Sequence, residues 1–214
     1  MTSTLPGLDP VTLSGRYVRL EPLTVGHIPA LAAASAGPRD TYAFTWVPDG
    51  LAEAVSYVDA ALADRDAGRA LPFATVSLAT GAVVGSTRFG NIEYFDWPEG
   101  GPLRRNAEHP DVIEIGWTWL NSAAQRTPIN TEAKLLMLAH AFEGWGVHRV
   151  SLVTDERNER SRRAIERLGA RLDGVIRGHR VARDGLLRDT AWYSIVRGEW
   201  PAVRDSLRER LGRD

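Results

Sequence analysis

Gln125-Arg126-Thr127-Pro128-Ile129-Asn130-Thr131 is the stretch that decides how this chain folds, because a strand pattern runs into it and a helix pattern runs out of it. Upstream, Asp111 to Asn121 (DVIEIGWTWLN) alternates, with Ile113, Ile115, Trp117 and Trp119 on one face and Glu114, Gly116 and Thr118 on the other. That is the period of a half-buried strand. Downstream, Thr131 to Trp145 (TEAKLLMLAHAFEGW) continues a helical spacing through Ile129, Ala133, Leu136 and His140, and through Leu135, Leu138, Ala139 and Phe142. The link is a strand-to-helix turn in which Thr127 can cap and Pro128 can occupy the first helical position, where its missing N–H costs nothing. Such a turn aims unpaired backbone N–H groups and the positive end of a helix dipole at one point, which suits a phosphate. The plainer alternative is a well-capped helix and no ligand.

The chain has 214 residues, 43% hydrophobic and 25% charged, a composition that supports one domain with a sizeable core. With no cysteine, a disulfide, a thiol nucleophile and a thiolate metal site are all excluded. The opening MTSTLPGLDP has no basic-then-apolar signal and no apolar run reaches membrane-spanning length, so the cytoplasm is the expected compartment and no membrane partner is expected. A net charge of −1 gives nucleic acid no general attraction. Its distribution is less even, since Lys134 is the single lysine among 26 basic residues, and eleven arginines face six acidic residues between His148 and Arg188. Solvated helix faces explain this pattern as well as a small polyanionic ligand does.

Residues 1–12 read as a loose arm and residues 13–214 as one domain. Leu13 to Leu20 is a first strand, Val25 to Ala36 a short helix, and Leu51 to Gly68 a second helix. Pro72 to Ala79 and Val83 to Phe89 form a hairpin about Thr80-Gly81. A long irregular stretch, Gly90 to Pro110, carries Tyr94, Phe95, Trp97 and Arg104-Arg105, suited to a substrate lip or a dimer contact and equally to packing or disorder. After the central strand and helix, Arg149 to Asp155 is a strand parallel to its predecessor, and Asn158 to Leu168 a short helix stopped by Gly169. Arg171 to Arg180 and Leu187 to Arg197 are strands about Asp184-Gly185, and Glu199 to Leu211 is a closing amphipathic helix.

This order, with the phosphate-type turn after the fourth strand and Asn158-x-x-Ser161 shortly before Leu168-Gly169, resembles the GNAT acyltransferase superfamily. EIGWTWL, the Gln125-x-x-x-Ile129-x-Thr131 frame, NERSRRAIERLGA and RDTAWYSI resemble its RimJ/RimL branch of ribosomal-protein N-acetyltransferases, over roughly residues 13–200. The resemblance implies a mixed α/β (α+β) GNAT fold: a central, mostly antiparallel twisted sheet, splayed between its fourth and fifth strands, with helices on both faces. It implies acetyl-CoA as co-substrate, no metal, and a primary amine as acceptor, either a protein or peptide N-terminus or a small amine such as an antibiotic or polyamine. A homodimer is left open, and so is a non-catalytic acyl-CoA-binding protein.

The resemblance also assigns residues. The diphosphate would sit on Gln125, Arg126, Thr127, Pro128, Ile129, Asn130 and Thr131, where the family pattern Gln/Arg-x-x-Gly-x-Gly/Ala has lost both glycines. One backbone donor is lost at Pro128, and side chains of Arg126, Thr127 and Asn130 are left to compensate. The pantetheine arm would pair with the strand edge at Trp117, Trp119 and Leu120, with Asn158, Ser161 and Arg163 beside it. Glu114 is the candidate general base, with a structural role as the alternative; His179 is second, next to Arg180 where the RimL pattern carries Glu. Ser161 is the candidate donor to the departing thiolate, with Tyr193 in reserve, although a serine there can equally cap or pack at a helix end. A backbone N–H near Trp119 would hold the oxyanion. Asp189 fits a turn or ion pair better than an acceptor-side role.

Overall fold

The computed structural model describes residues 8–104 and 108–212. The first seven residues of the expected arm, and Arg105 in the irregular stretch, lie outside the described residues.

Eight strands form one open sheet in the order β1-β2-β3-β4-β5-β6-β8-β7. They are β1 (Leu13–Ser14), β2 (Val18–Pro22), β3 (Leu71–Ser77), β4 (Val83–Glu93), β5 (Val112–Leu120), β6 (Arg149–Asp155), β7 (Arg171–Val181) and β8 (Leu187–Val196). All neighbours are antiparallel except β5 and β6. Five α-helices accompany them: α1 (Ile28–Ser35), α2 (Gly50–Asp66), α3 (Pro128–Ala139), α4 (Glu159–Arg167) and α5 (Trp200–Gly212). The expected mixed α/β class and the parallel step into β6 therefore hold.

Apolar residues are divided between two cores, as a sheet covered on both faces requires. On one face Leu20, Phe73, Phe89, Ile113, Ile115 and Val150 pack against α3, α4 and α5 through Met137, Leu138, Ile165 and Leu207. On the other, Ala74 and Trp119 meet Leu31 of α1 and Val58 and Ala61 of α2.

Three elements differ from the sequence expectation. The first strand is broken: Gly15, Arg16 and Tyr17 reverse the chain between β1 and β2. The carboxylate of Glu132 in α3 holds the reversal, accepting the N–H groups of Arg16 (2.7 Å), Tyr17 (2.6 Å) and Val18 (2.8 Å). A Cβ on Gly15 would lie 2.3 Å from the Glu132 carboxyl carbon, so only glycine allows this approach. Secondly, β4 runs on to Glu93, taking up the start of the irregular stretch. Beyond it the loop is anchored, because the buried Asp111 carboxylate accepts the Phe95 N–H (2.7 Å) and the Trp97 indole N–H (3.0 Å). Thirdly, α3 leaves α-geometry at His140, and a π-turn through Trp145 ends on Gly146 in the left-handed region (φ 67°).

The alternation along β5 also breaks. Trp117 has φ 49°, and the pairing shifts from Arg88↔Gly116 to Ser86↔Trp119, so Trp117 and Thr118 together face Thr87. This is a β-bulge, and one extra residue reverses which side chains face which way. Trp119 consequently lies with α1 and α2, opposite Ile113 and Ile115, while Thr118 turns toward α3. Strict period two had placed them the other way round.

Candidate active site

The parallel pair β5 and β6 is joined only at Val112↔Arg149, Ile113↔Val150 and Glu114↔Ser151. Beyond Glu114 the strands diverge, and the bulge at Trp117 turns the β5 backbone further from its neighbour. A cleft of about 300 Å³ fills the wedge, walled by β5 from Ile115 to Thr118, β6 from Leu152 to Asp155, α3 through Asn130 and Lys134, and α4 through Ser161, Ala164 and Ile165. The free edge of β5 faces this space, so its backbone groups can pair with an extended ligand as a strand would.

At the open end of the wedge, past the end of β5, α3 begins. Thr127 is the N-cap: its hydroxyl accepts from the Ile129 N–H (3.4 Å) and donates to the Ala124 carbonyl (2.7 Å). Pro128 stands at the first helical position. The first helical turn leaves the Asn130 N–H without an intrahelical acceptor and the Ile129 N–H with only the long Thr127 contact, whereas the Thr131 N–H already reaches the Thr127 carbonyl, so two donors remain even though proline supplies none. Arg126 adopts φ 61°, a conformation that costs a non-glycine residue about 1 kcal/mol, and its side chain is exposed beside these donors. Gln125 is occupied structurally. Its amide donates to the Leu120 carbonyl (2.9 Å) and the Thr41 hydroxyl (3.2 Å), and it accepts from Arg160 (3.3 Å).

Glu114 stands where the strands part. It is 4% exposed, and Asn91 donates to its carboxylate at 2.6 Å. Burial pushes its carboxyl above the usual range, a shift that the Asn91 hydrogen bond and the charges of Arg180 and Arg188 only partly oppose. Glu114 and Arg180 line both this cleft and a second hollow of about 310 Å³ that opens past Asn91, Ser151 and Trp192. A carboxylate between two cavities can take a proton from a group that enters by one and reacts with a group held in the other.

The other expected residues are placed unequally. Ser161 lines the cleft. Asn158 caps α4, its side-chain oxygen accepting the Ser161 N–H at 3.0 Å. Arg163 points to solvent and pairs with Glu159 (3.3 Å), away from the cleft wall. The Leu120 carbonyl is taken by the Tyr42 hydroxyl (2.9 Å) and Gln125. Trp117 lies over Arg88 (5.1 Å), so the expected pairing of this strand rests on backbone groups alone. His179 bonds the Thr190 hydroxyl (3.1 Å); burial and the nearby Arg180 and Arg188 lower its pKa, but it lines neither cavity. Tyr193 is fully buried, its hydroxyl accepting from Arg162 (3.0 Å) and donating to Glu166 (2.9 Å). It is thereby committed to the back of α4, and the reserve role expected of it finds no support in this placement. Asp189 accepts the Gly178 N–H (2.7 Å), the turn role.

Two features were not foreseen. The segment between α1 and α2 crosses the cleft mouth with Phe44, Thr45 and the 69% exposed Trp46. It is held from the far side: Arg183 donates to the carbonyls of Tyr42 (3.1 Å) and Thr45 (3.2 Å), Arg160 donates to the Thr41 carbonyl, and Arg157 lies over the Phe44 ring (5.2 Å). Part of the arginine excess is therefore spent on closing the wedge. The second is Lys134, 4% exposed on the cleft-facing side of α3. Its signal in the sequence was its singularity, and its spacing of four and three residues from Asn130 and Met137 on the inward side. Among the described residues, no group of three or more His, Asp or Glu side chains could hold a metal, and no helix is long and apolar enough to cross a membrane.

Comparison with known proteins agrees with this architecture. The acetyltransferase (GNAT) domain family matches residues 18–171. A GCN5-related N-acetyltransferase from Brucella melitensis superposes with TM-score 0.81 at 32% identity, over 94% of this chain and 85% of that one. Mycobacterium smegmatis RimJ in complex with CoA-disulfide superposes with TM-score 0.76 at 22% identity, over 95% and 96% of the two chains. Ribosomal-protein-S5-alanine acetyltransferase from Vibrio fischeri gives 0.65 at 16%, over 89% and 98%. At the last two identities the likeness is one of fold. No curated protein matches. The family match over most of the chain, joined to a splayed parallel pair, a bulged strand and a capped helix at the wedge, means that this chain belongs to the GNAT acetyltransferases.

Proposed function

We propose that the protein transfers an acetyl group from acetyl-CoA to a primary amine by direct attack in a ternary complex. The observation that carries this reading is the buried Glu114 carboxylate at the junction of two cavities, one of them bounded by a free strand edge and a helix N-terminus. The cleft fits the co-substrate: the Ile129 and Asn130 N–H groups with Arg126 would hold the diphosphate, and the β5 edge at Trp117 to Trp119 would pair with the pantetheine amides. Acetyl-CoA supplies the activated thioester. Glu114 takes the proton of the incoming amine, directly or through one water, and a backbone N–H near Trp119 stabilises the oxyanion. Ser161 offers the departing thiolate a hydrogen bond.

A protein α-amine suits this site because its pKa of about 7.7 to 8.0 leaves roughly a tenth neutral at pH 7, whereas a lysine side chain is below about one in a thousand. A polycationic acceptor is disfavoured, because Arg180 stands beside the two carboxylates that line the second hollow, Glu93 and Glu114, and Asp155 in the cleft is already paired with Arg157 at 2.7 Å. We therefore place the protein in the RimJ/RimL-like branch, acting on peptide N-termini in the cytoplasm.

Thiol release measured with acetyl-CoA or succinyl-CoA, against N-terminal peptides, free amino acids and polyamines, tests the proposal. Turnover with peptides and acetyl-CoA is expected. Tight coenzyme binding by calorimetry without turnover on any acceptor would instead identify a non-catalytic acyl-CoA-binding protein.

A further inference from the structure

Lys134 stands out physically as well as compositionally. It is the one lysine in a chain whose other 25 basic residues are arginine, and it is buried in the wall of the cleft. No carboxylate pairs with it among the described residues. Its ammonium donates to the hydroxyls of Thr87 (2.9 Å) and Thr118 (2.6 Å), which also bond each other (2.8 Å) and lie within reach of the Gly116 carbonyl (3.3 Å each). Two threonines from β4 and β5 thus fix the nitrogen under the bulge. An ammonium has three donors, and these contacts use two.

We infer that Lys134 is the proton source for the coenzyme thiolate: its Nζ meets the thioester sulfur across the cleft from Ser161. The step balances as follows. The acceptor nitrogen bonds to the carbonyl carbon, its proton passes to Glu114, the C–S bond breaks with its electron pair on sulfur, and Lys134 gives one proton to that sulfur. Lys134 returns to the ammonium by taking a proton from solvent when product leaves.

The chemistry favours lysine for this task. Burial alone lowers Lys134 to about 7, below a thiol of about 8.5, so the transfer runs downhill. An arginine would stay charged, and a serine hydroxyl is too weak an acid to do more than donate a hydrogen bond. The ionisable groups sharing the cleft are Glu114 on β5, Asp155 on β6, Arg180 on β7 and Arg188 on β8. None of them is a source of the Lys134 shift.

The inference rests on the coenzyme occupying this cleft, so its test reports binding separately. Because the chain has a single lysine, protein labelled with ¹³C at lysine Cε gives one side-chain signal, read in the unmutated enzyme. Coenzyme A should move that signal and its titration midpoint well beyond what desulfo-coenzyme A does, with both binding by calorimetry. Equal shifts from the two ligands overturn the inference while leaving the proposed function standing; no binding of either overturns both. In kinetics, K134M should lower kcat about a hundredfold, leave KM for acetyl-CoA within about threefold, and abolish the alkaline limb of the kcat profile. K134R, charged but unable to release a proton, should be equally slow. A K134M enzyme within about twofold of the parent, or one that keeps the alkaline limb, contradicts the assignment, as does acetylation of Lys134 itself during turnover.

Discussion

Glu114 shows how burial and chemistry are coupled at one residue. A carboxylate that is 4% exposed, with one hydrogen-bond donor and two arginines near it, keeps an elevated pKa because desolvation outweighs those partners. As a base it works only when ionised, so kcat/KM should fall as pH drops through that elevated value. E114Q should lower kcat by at least about a hundredfold and lose this acidic limb, measured by thiol release across pH. Unchanged activity in E114Q would reduce the residue to a strand-to-strand hydrogen bond. For Ser161 the expectation is milder. S161A should slow turnover by a hundredfold at most, because a thiolate is a good leaving group and the hydroxyl contributes one hydrogen bond; a larger loss with binding intact would mean that Ser161 supplies the proton. The placement of Glu114 and Ser161 on the cleft wall was legible in the sequence because strand period and helix spacing fix where they point. The partners of Tyr193 and Arg163 were not legible, since a family position says nothing about a residue such as Arg162 or Glu159 that claims the side chain first.

Among the elements, the turn into α3 was readable from QRTPINT almost residue by residue. Threonine capped, proline followed, and the helix began where the spacing said it would. The two lost loop glycines did not prevent the turn, because Arg126 itself adopts the left-handed conformation that a glycine would take more easily. T127A should cost about 1 kcal/mol of stability through the lost cap. The same change should weaken coenzyme binding in calorimetry, since the turn that aims the Ile129 and Asn130 N–H groups loosens. Full affinity in T127A would show that the coenzyme does not rest on this turn. The bulge in β5 could not be read in the same way. EIGWTWL alternates cleanly, and nothing local marks Trp117 as the residue whose φ of 49° breaks it. The pairing with β4 decides that, at a distance in sequence. The strap at Phe44 to Trp46 was missed for the same reason, being held by Arg157, Arg160 and Arg183 from more than a hundred residues away.

At the scale of the whole molecule, two buried charged side chains of α3 act in opposite senses. Glu132 ties the helix to the β1–β2 reversal through three backbone donors. E132A should destabilise the fold by about 2 kcal/mol, seen in denaturant unfolding, because the buried Val18 N–H and the half-buried N–H groups of Arg16 and Tyr17 lose their charged acceptor. Lys134 works against stability. Its folded pKa of about 7 lies below the unfolded value near 10.5, so the folded state binds the proton more weakly. The fold is most secure above the unfolded value and loses stability as pH falls from about 10.5 toward 7, by roughly 5 kcal/mol at most. K134M should therefore be more stable than the parent at pH 7, with the difference shrinking as pH rises, even as turnover is lost. Equal stability at every pH would mean that the amine is not desolvated in the folded protein.

The central claim is that the wedge between β5 and β6 is the coenzyme site, with the diphosphate at the start of α3. A crystal structure of the protein soaked with acetyl-CoA tests it most directly. The expected result is the diphosphate on the N–H groups of Ile129 and Asn130, the pantetheine amides paired with the β5 edge at Trp117 to Trp119, and the thioester between Lys134 and Ser161. A saturated crystal in which the coenzyme lies elsewhere, with the wedge filled by Phe44 and Trp46, would contradict it.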